Sequence, residues 1–306
     1  MQDQAQQLRN VIKQRNIKTT VTPKVKAKAR VLTITSGKGG VGKSNLAVNL
    51  AIQLRKSGKR VIIFDADIGL ANVEVMFGTI PKYNLGDLVY RGKKLSEIVV
   101  EGPMGVGFVS GGSGIAGLNH PTAAQIDRLV DELGTLDELA DVIIIDTGAG
   151  ISDSVLKFVV SSPEVLLVTT PDPSSITDSY SLLKILYQQP EFEPQETKIR
   201  FVANKVASVE DGEALYEKMR LVVSKFLGGD LQYLGMVPLD LALERAVQKQ
   251  QVVSLEAPSS NAATSNAQRV RVEVFSKSNT MFLPSSRLFL MPARFFALRS
   301  CARSSM

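Results

Sequence analysis

With 306 residues and 44% hydrophobic side chains, the chain can bury the core of an α/β domain and carry extensions besides. One cysteine, Cys301, and one histidine, His120, exclude a disulfide framework, a cysteine-held cluster or zinc site and a Ser/His/Asp triad, and a reducing cytoplasm fits this usage. The net charge of +6 is unevenly placed: residues 1–30 hold eight Lys/Arg against Asp3 and residues 258–306 hold seven against Glu273, whereas residues 31–257 hold 21 basic and 28 acidic side chains, so no direct nucleic-acid contact is expected of the body.

The polar, basic N-terminus does not read as a secretory signal, and no apolar run approaches the roughly 18–20 residues of a membrane span. Asp3-Gln4-Ala5-Gln6-Gln7-Leu8-Arg9 continues through Val11 and Ile12, placing Ala5, Leu8 and Ile12 on one helical face. So short a helix is marginal in water and is expected to order on a partner. Lys13 to Arg30, with Pro23, reads as a linker, which divides the chain into a basic arm (1–30), a folded body (31–257) and a basic Ser/Arg-rich tail (258–306).

The body opens with the apolar strand Val31-Leu32-Thr33-Ile34-Thr35, and a helix follows with Leu46, Leu50 and Leu54 on one face. Between them lies Gly37-Lys38-Gly39-Gly40-Val41-Gly42-Lys43-Ser44, in the strand-to-helix setting that a phosphate-binding loop requires. Its glycines let backbone N–H groups converge on an anion, Lys43 reaches the terminal phosphates, Ser44 offers a hydroxyl to magnesium, and Asn45 continues the nucleotide-binding run. Val61-Ile62-Ile63-Phe64 is the next buried strand, and it ends in the carboxylates Asp65 and Asp67, where ligands bind in open α/β sheets. Val106, Phe108 and Val109 mark another strand, and Gly111-Gly112-Ser113-Gly114, which lacks a following Lys-Ser, reads as a loop.

Asp141-Val142-Ile143-Ile144-Ile145-Asp146 is a continuous apolar strand whose terminal Asp146 is the second, magnesium-side acid of a phosphate-loop ATPase. Val165-Leu166-Leu167-Val168 follows, and Ser175 and Asp178 have the spacing of a capping box at the next helix start. Ile199 to Ala203 form a strand ending at Asn204-Lys205, and Leu234 to Pro238 complete the sheet. The expected architecture is a doubly wound, mostly parallel α/β sheet flanked by helices, with nucleotide at the carboxyl ends of the strands.

The run Lys38 to Ser44 resembles the deviant phosphate loop of the MinD/ParA class of ATPases. In that class the extra lysine reaches the partner subunit's ATP, so the resemblance implies ATP/ADP and Mg2+ as ligands, weak switch-like ATP hydrolysis, and a nucleotide-gated homodimer in which Lys38 acts across the interface. Asp65 to Asn72 is similar to the first switch of the class, which implies that Asp67 orients or deprotonates the attacking water, Asp65 holds the magnesium shell with Ser44 and Asp146, and Asn72 lies near the γ-phosphate. Asp146-Thr147-Gly148-Ala149-Gly150 matches the second switch, Asn204 stands where the class reads the adenine edge, and the loop after Pro238 would border the base.

The arm is similar to the Asp-Gln-Ala-x-x-Leu-Arg activator motif of the FlhG/FleN branch, MinD-like regulators of flagellar number, and the runs Ser174 to Asp178 and Ala246 to Gln250 point to the same branch. By that resemblance Asp3, Gln4, Ala5, Leu8 and Arg9 bind the GTPase FlhF and stimulate it, with Gln4 and Arg9 as the polar contacts. The other implied partners are a flagellar transcription activator of FleQ/FlrA type and flagellar switch-ring proteins. The implied location is cytoplasmic, with ATP-dependent peripheral association with the inner membrane at the cell pole. The branch's amphipathic C-terminal helix is not matched: Phe289, Leu290, Phe295 and Phe296 among Arg287, Arg294 and Arg299 suit an anionic membrane, but Pro284 and Pro292 interrupt any long helix. A ParA-like DNA partition ATPase, a division-site MinD and a module that binds nucleotide without hydrolysis share the nucleotide motifs and stay open.

Overall fold

The structure, a computed structural model, describes residues 28–112 and 121–265. The arm with Asp3, Gln4, Ala5, Leu8 and Arg9 lies outside the described residues, as do His120 and residues 266–306. Eight strands form one sheet: β1 (Arg30–Ser36), β2 (Val61–Ala66), β3 (Val100–Glu101), β4 (Gly107–Val109), β5 (Val142–Ala149), β6 (Glu164–Thr169), β7 (Lys198–Val206) and β8 (Gln232–Pro238), in the order β3-β4-β2-β5-β1-β6-β7-β8. Every neighbouring pair is parallel except β3 with β4. The central strands read as unbroken apolar runs because helices cover both of their faces.

The helices are α1 (Lys43–Lys56), α2 (Asn72–Phe77), α3 (Leu85–Arg91), α4 (Ala123–Glu132), α5 (Asp153–Val160), α6 (Pro173–Leu186), α7 (Val209–Leu227), α8 (Leu241–Gln248) and α9 (Val253–Glu256). Leu46, Leu50 and Leu54 of α1 pack with Leu32, Ile34, Ile63 and Ile144 on one face of the sheet, each burial stabilising by about 1.5–3 kcal/mol. Val31, Phe64, Ile143 and Ile145 point the opposite way, onto the layer that holds Leu88, Leu129 and Phe158, as the two-residue strand period demands. Glu164 joins the starts of three strands, pairing with Arg30 of β1 at 2.7 Å and Arg200 of β7 at 2.8 Å. At the entrance to β1, the Asp137 carboxylate accepts the backbone N–H groups of Lys28 (2.7 Å) and Ala29 (2.9 Å), which fixes where the N-terminal arm joins the body.

Two assignments depart from the sequence reading, the cap of α6 and the end of the packed body. Ser175 and Asp178 do not cap a helix: α6 begins earlier, at Asp172, whose carboxylate accepts the Ser174 N–H, with Pro173 at the first helical position, where its missing N–H costs nothing. Ser175 is buried inside the helix, and its hydroxyl accepts the Thr170 N–H at 3.1 Å. The stretch after Pro238 is loop only through Leu239 and Asp240 before α8 starts. The packed body also continues past residue 257: Ala262 and Ala263 are fully buried, and the Ala262 N–H donates to Asp240 Oδ2 at 2.8 Å.

Candidate nucleotide site

The link from β1 to α1 is shaped for an anion. Gly42 opens α1 with φ of 99°, there is no side-chain cap, and the first turn carries no acidic residue. By contrast α3 to α8 are capped by Asn84, Thr122, Ser152, Asp172, Ser208 and Asp240, respectively. Left without an internal acceptor, the first N–H groups of α1 present their partial positive charge to whatever sits in front of them. Gly37, one turn back, packs so closely on α6 that a Cβ there would overlap the backbone of Asp178.

Behind the loop, β5 lies between β1 and β2, and its register sets Asp146 directly beside Asp65 of β2. Both carboxylates are fully buried. Asp65 Oδ1 accepts the Asp67 N–H at 3.2 Å and Oδ2 the Val73 N–H at 3.1 Å, so Asp65 pins the segment that carries Asp67. Burial, together with the charge of Asp146, pushes the Asp65 pKa well above the usual carboxylate range. Burial raises Asp146 to about 7, opposed by the Ser44 hydroxyl and the Lys43 ammonium. Neither Asp146 oxygen accepts a well-formed hydrogen bond. Two buried carboxylate oxygens with open lone pairs, beside a serine hydroxyl at the rim of a phosphate loop, fit a hard divalent cation such as Mg2+.

Lys43 is itself buried, which lowers its pKa, while the charges of Asp146 and Asp67 act in the opposite direction. Asp67 is only partly covered; its Oδ2 accepts the Asn72 amide at 2.9 Å, and a Cβ on Gly148 would come within 3.1 Å of its Oδ1. Ala71, between them, takes up φ of 47° at the start of α2. That conformation disfavours a residue with a Cβ, and such outliers gather at switch regions.

On the opposite wall the Asn204 amide donates to the Val41 carbonyl at 2.5 Å and Lys205 Nζ to the Gly40 carbonyl at 3.0 Å, so the end of β7 braces the phosphate loop. The cleft between these walls measures about 1110 Å3. Gly39, Gly40, Gly42, Lys43, Ser44, Asn45, Asp67, Asn72, Asn204 and Pro238 line it. Leu70, Val75 and Met76 on the α2 side and Leu243 and Val247 of α8 add an apolar wall.

Residues 32–253 match the CobQ/CobB/MinD/ParA nucleotide-binding domain, well over half of the chain. The chain belongs to the MinD/ParA family. Within it, the chain is 41% identical over 234 residues to the antiactivator FleN of Pseudomonas aeruginosa, covering 76% of this chain and 82% of FleN. It is 39% identical over 260 residues to the flagellum site-determining protein YlxH of Helicobacter pylori, covering 84% of this chain and 85% of YlxH. The fold is shared with MinD of Pyrococcus horikoshii, solved in complex with Mg-ADP (TM-score 0.67, 23% identity, 81% of this chain and 96% of that one).

In this MinD/ParA domain the described residues singled out for the nucleotide site therefore converge at the carboxyl ends of β1, β2, β5, β7 and β8, with Asp65 and Asp146 fully buried behind the cleft and the others along it, apart from two exceptions in detail. Val41 is buried beneath the loop, and Lys38 lines a smaller adjoining cleft of about 410 Å3. Lys205 and Asp240 escaped the sequence reading. Asp240 accepts the Ala242 N–H at 2.8 Å to cap α8, and an aspartate directly before an apolar-periodic run was a legible signal for it. Lys205 sits at φ of 56°, which no sequence pattern foretells.

The acid pair makes the nucleotide-free domain sensitive to pH. Asp65 and Asp146 hold protons more tightly when folded, so their contribution to stability is fullest below the unfolded pKa near about 4 and is lost as pH rises through the folded value of about 7 for Asp146. In a chelator, the melting temperature is expected to fall from about pH 5 to about pH 8, and Asp146→Asn should flatten the fall. A wild-type melting temperature that climbs with pH over this range would contradict the assignment.

Proposed function

We propose that this chain is an ATPase switch controlling the number and placement of flagella, in which ATP and Mg2+ assemble a homodimer and hydrolysis releases it. The observation that carries the reading is the identity to FleN and YlxH across most of both proteins, in a chain whose phosphate loop and Asp67 line one cleft, with Asp146 buried behind it. In this reading the α1 N-terminus and Lys43 bind and orient the triphosphate. Ser44 and Asp146 would hold Mg2+, with Asp65 in its shell and fixing the strand end beside them; the metal would supply charge neutralisation on the phosphate oxygens. Asp67, positioned by the Asn72 amide, orients the attacking water and accepts its proton. Pro238 and the start of α8 border the base; Asn204 would have to exchange its bond to Val41 to read the adenine edge.

Lys38 reaches the second subunit's phosphates in the dimer, and the arm residues Asp3, Gln4, Ala5, Leu8 and Arg9 engage and stimulate FlhF. A flagellar transcription activator and switch-ring proteins receive the output, and an anionic membrane at the cell pole is the surface on which the dimer works. Among the described residues no helix is long and apolar enough to cross a membrane. Sedimentation of Asp67→Ala protein with ATP and with ADP tests the switch: a dimer is expected with ATP alone. A single subunit with intact ATP bound would reject it. Gln4→Ala should leave ATP turnover unchanged and abolish stimulation of FlhF.

A further inference from the structure

Lys38 does not project freely from its loop. Its ammonium is paired with Asp172 Oδ2 at 2.9 Å and also donates to the Ser174 hydroxyl. Both partners belong to the first turn of α6, across the adjoining cleft from the phosphate loop. Asp172 does two jobs with separate oxygens. Oδ1 accepts the Ser174 N–H at 2.8 Å and its hydroxyl at 2.7 Å, capping the helix, while Oδ2 faces Lys38. Hydrogen bonding from Ser174, and then from Lys38, holds the Asp172 pKa well below the usual carboxylate range.

One ammonium cannot occupy this position and extend into a second subunit. We infer that Asp172 and Ser174 form a latch that holds Lys38 within its own subunit and must release it before the dimer closes. The inference rests on the dimer-switch reading above and adds a cost to it. Its strength suits a switch. The side chains are 37% and 50% exposed, so solvent screens the pair, unlike Glu164 and Arg200, which hold strands together at 9% and 11% exposure. An exposed pair of this kind biases an equilibrium by a factor of about two to five. A twofold dimer must open two latches, giving about four- to 25-fold in the dimer dissociation constant. Asp172 and Ser174 are thus positioning residues, acting on the phosphates only through where they leave Lys38.

The test uses the full chain with the hydrolysis-blocking Asp67→Ala substitution and saturating Mg-ATP, titrated by sedimentation velocity. Asp172→Asn keeps an Oδ1 acceptor for the helix cap and removes the charge that holds Lys38. It is expected to dimerise at about four- to 25-fold lower protein concentration, with a melting temperature without nucleotide no more than about 4 °C below the parent's. Ser174→Ala should move the equilibrium the same way by less, and it supplies the decisive reading should Asp172→Asn fold poorly. Unchanged or weaker dimerisation of these variants overturns the latch. Lys38→Ala separates the two ideas: if it dimerises like the parent, the switch reading fails; if it stays monomeric while Asp172→Asn matches the parent, only the latch fails.

Discussion

Replacing Asp67 by alanine is expected to slow ATP turnover by about 10²–10⁴-fold while ATP binding persists, because positioned proton transfer is worth that much and Asp67 supplies none of the phosphate contacts. The side chain is free for that task. Its backbone is anchored by Asp65, one of its oxygens takes the Asn72 amide, and the other faces Gly148, where the lack of a Cβ leaves room beside it. Asn72→Ala removes only the orienting bond and should cost less than Asp67→Ala. Single-turnover phosphate release, set beside equilibrium binding of a fluorescent ATP analogue, separates the two steps. An Asp67→Ala protein that hydrolyses at the parent rate would move the catalytic role to another group in the cleft.

The parts of the site that a linear reading captured are those in which chemistry and local structure share neighbouring residues. The phosphate loop declares itself within eight positions between a strand and a helix, and Asp65 and Asp146 stand at the ends of apolar runs that only a doubly covered parallel strand explains. What escaped depends on contacts between distant segments. Lys38 and Asp172 are separated by 134 positions, and no spacing rule links a loop lysine to a helix cap that far along. The cap itself was misplaced because the Ser175/Asp178 spacing imitated a capping box, while Asp172-Pro173, which carries both a cap acceptor and the favoured first helical residue, was the stronger signal. Ala262 and Ala263 were assigned to the tail on composition, yet their small side chains are what allows that segment to pack closely against α1 and α8.

Lys43→Ala is expected to weaken ATP binding by about 10²–10⁴-fold, the range that follows from removing one member of a buried charge pair. Lys43 is 7% exposed and lies in the field of Asp146 and Asp67, so without a ligand its ammonium already balances acid charge. Its removal therefore acts twice. The triphosphate loses its cation, and it must then approach carboxylates that no buried ammonium offsets, a repulsion that surface charges screened by water do not replace. Lys43→Met retains most of the aliphatic stem while deleting the charge, which separates electrostatics from packing: it should bind as poorly as Lys43→Ala but melt closer to the parent. Lys43→Arg keeps the charge but brings a planar fork into a space shaped for a compact ammonium, and it too should bind poorly. Isothermal calorimetry with Mg-ATP, alongside thermal melts without nucleotide, measures both effects; near-parental affinity in Lys43→Met would show that the helix N-terminus alone carries the phosphates.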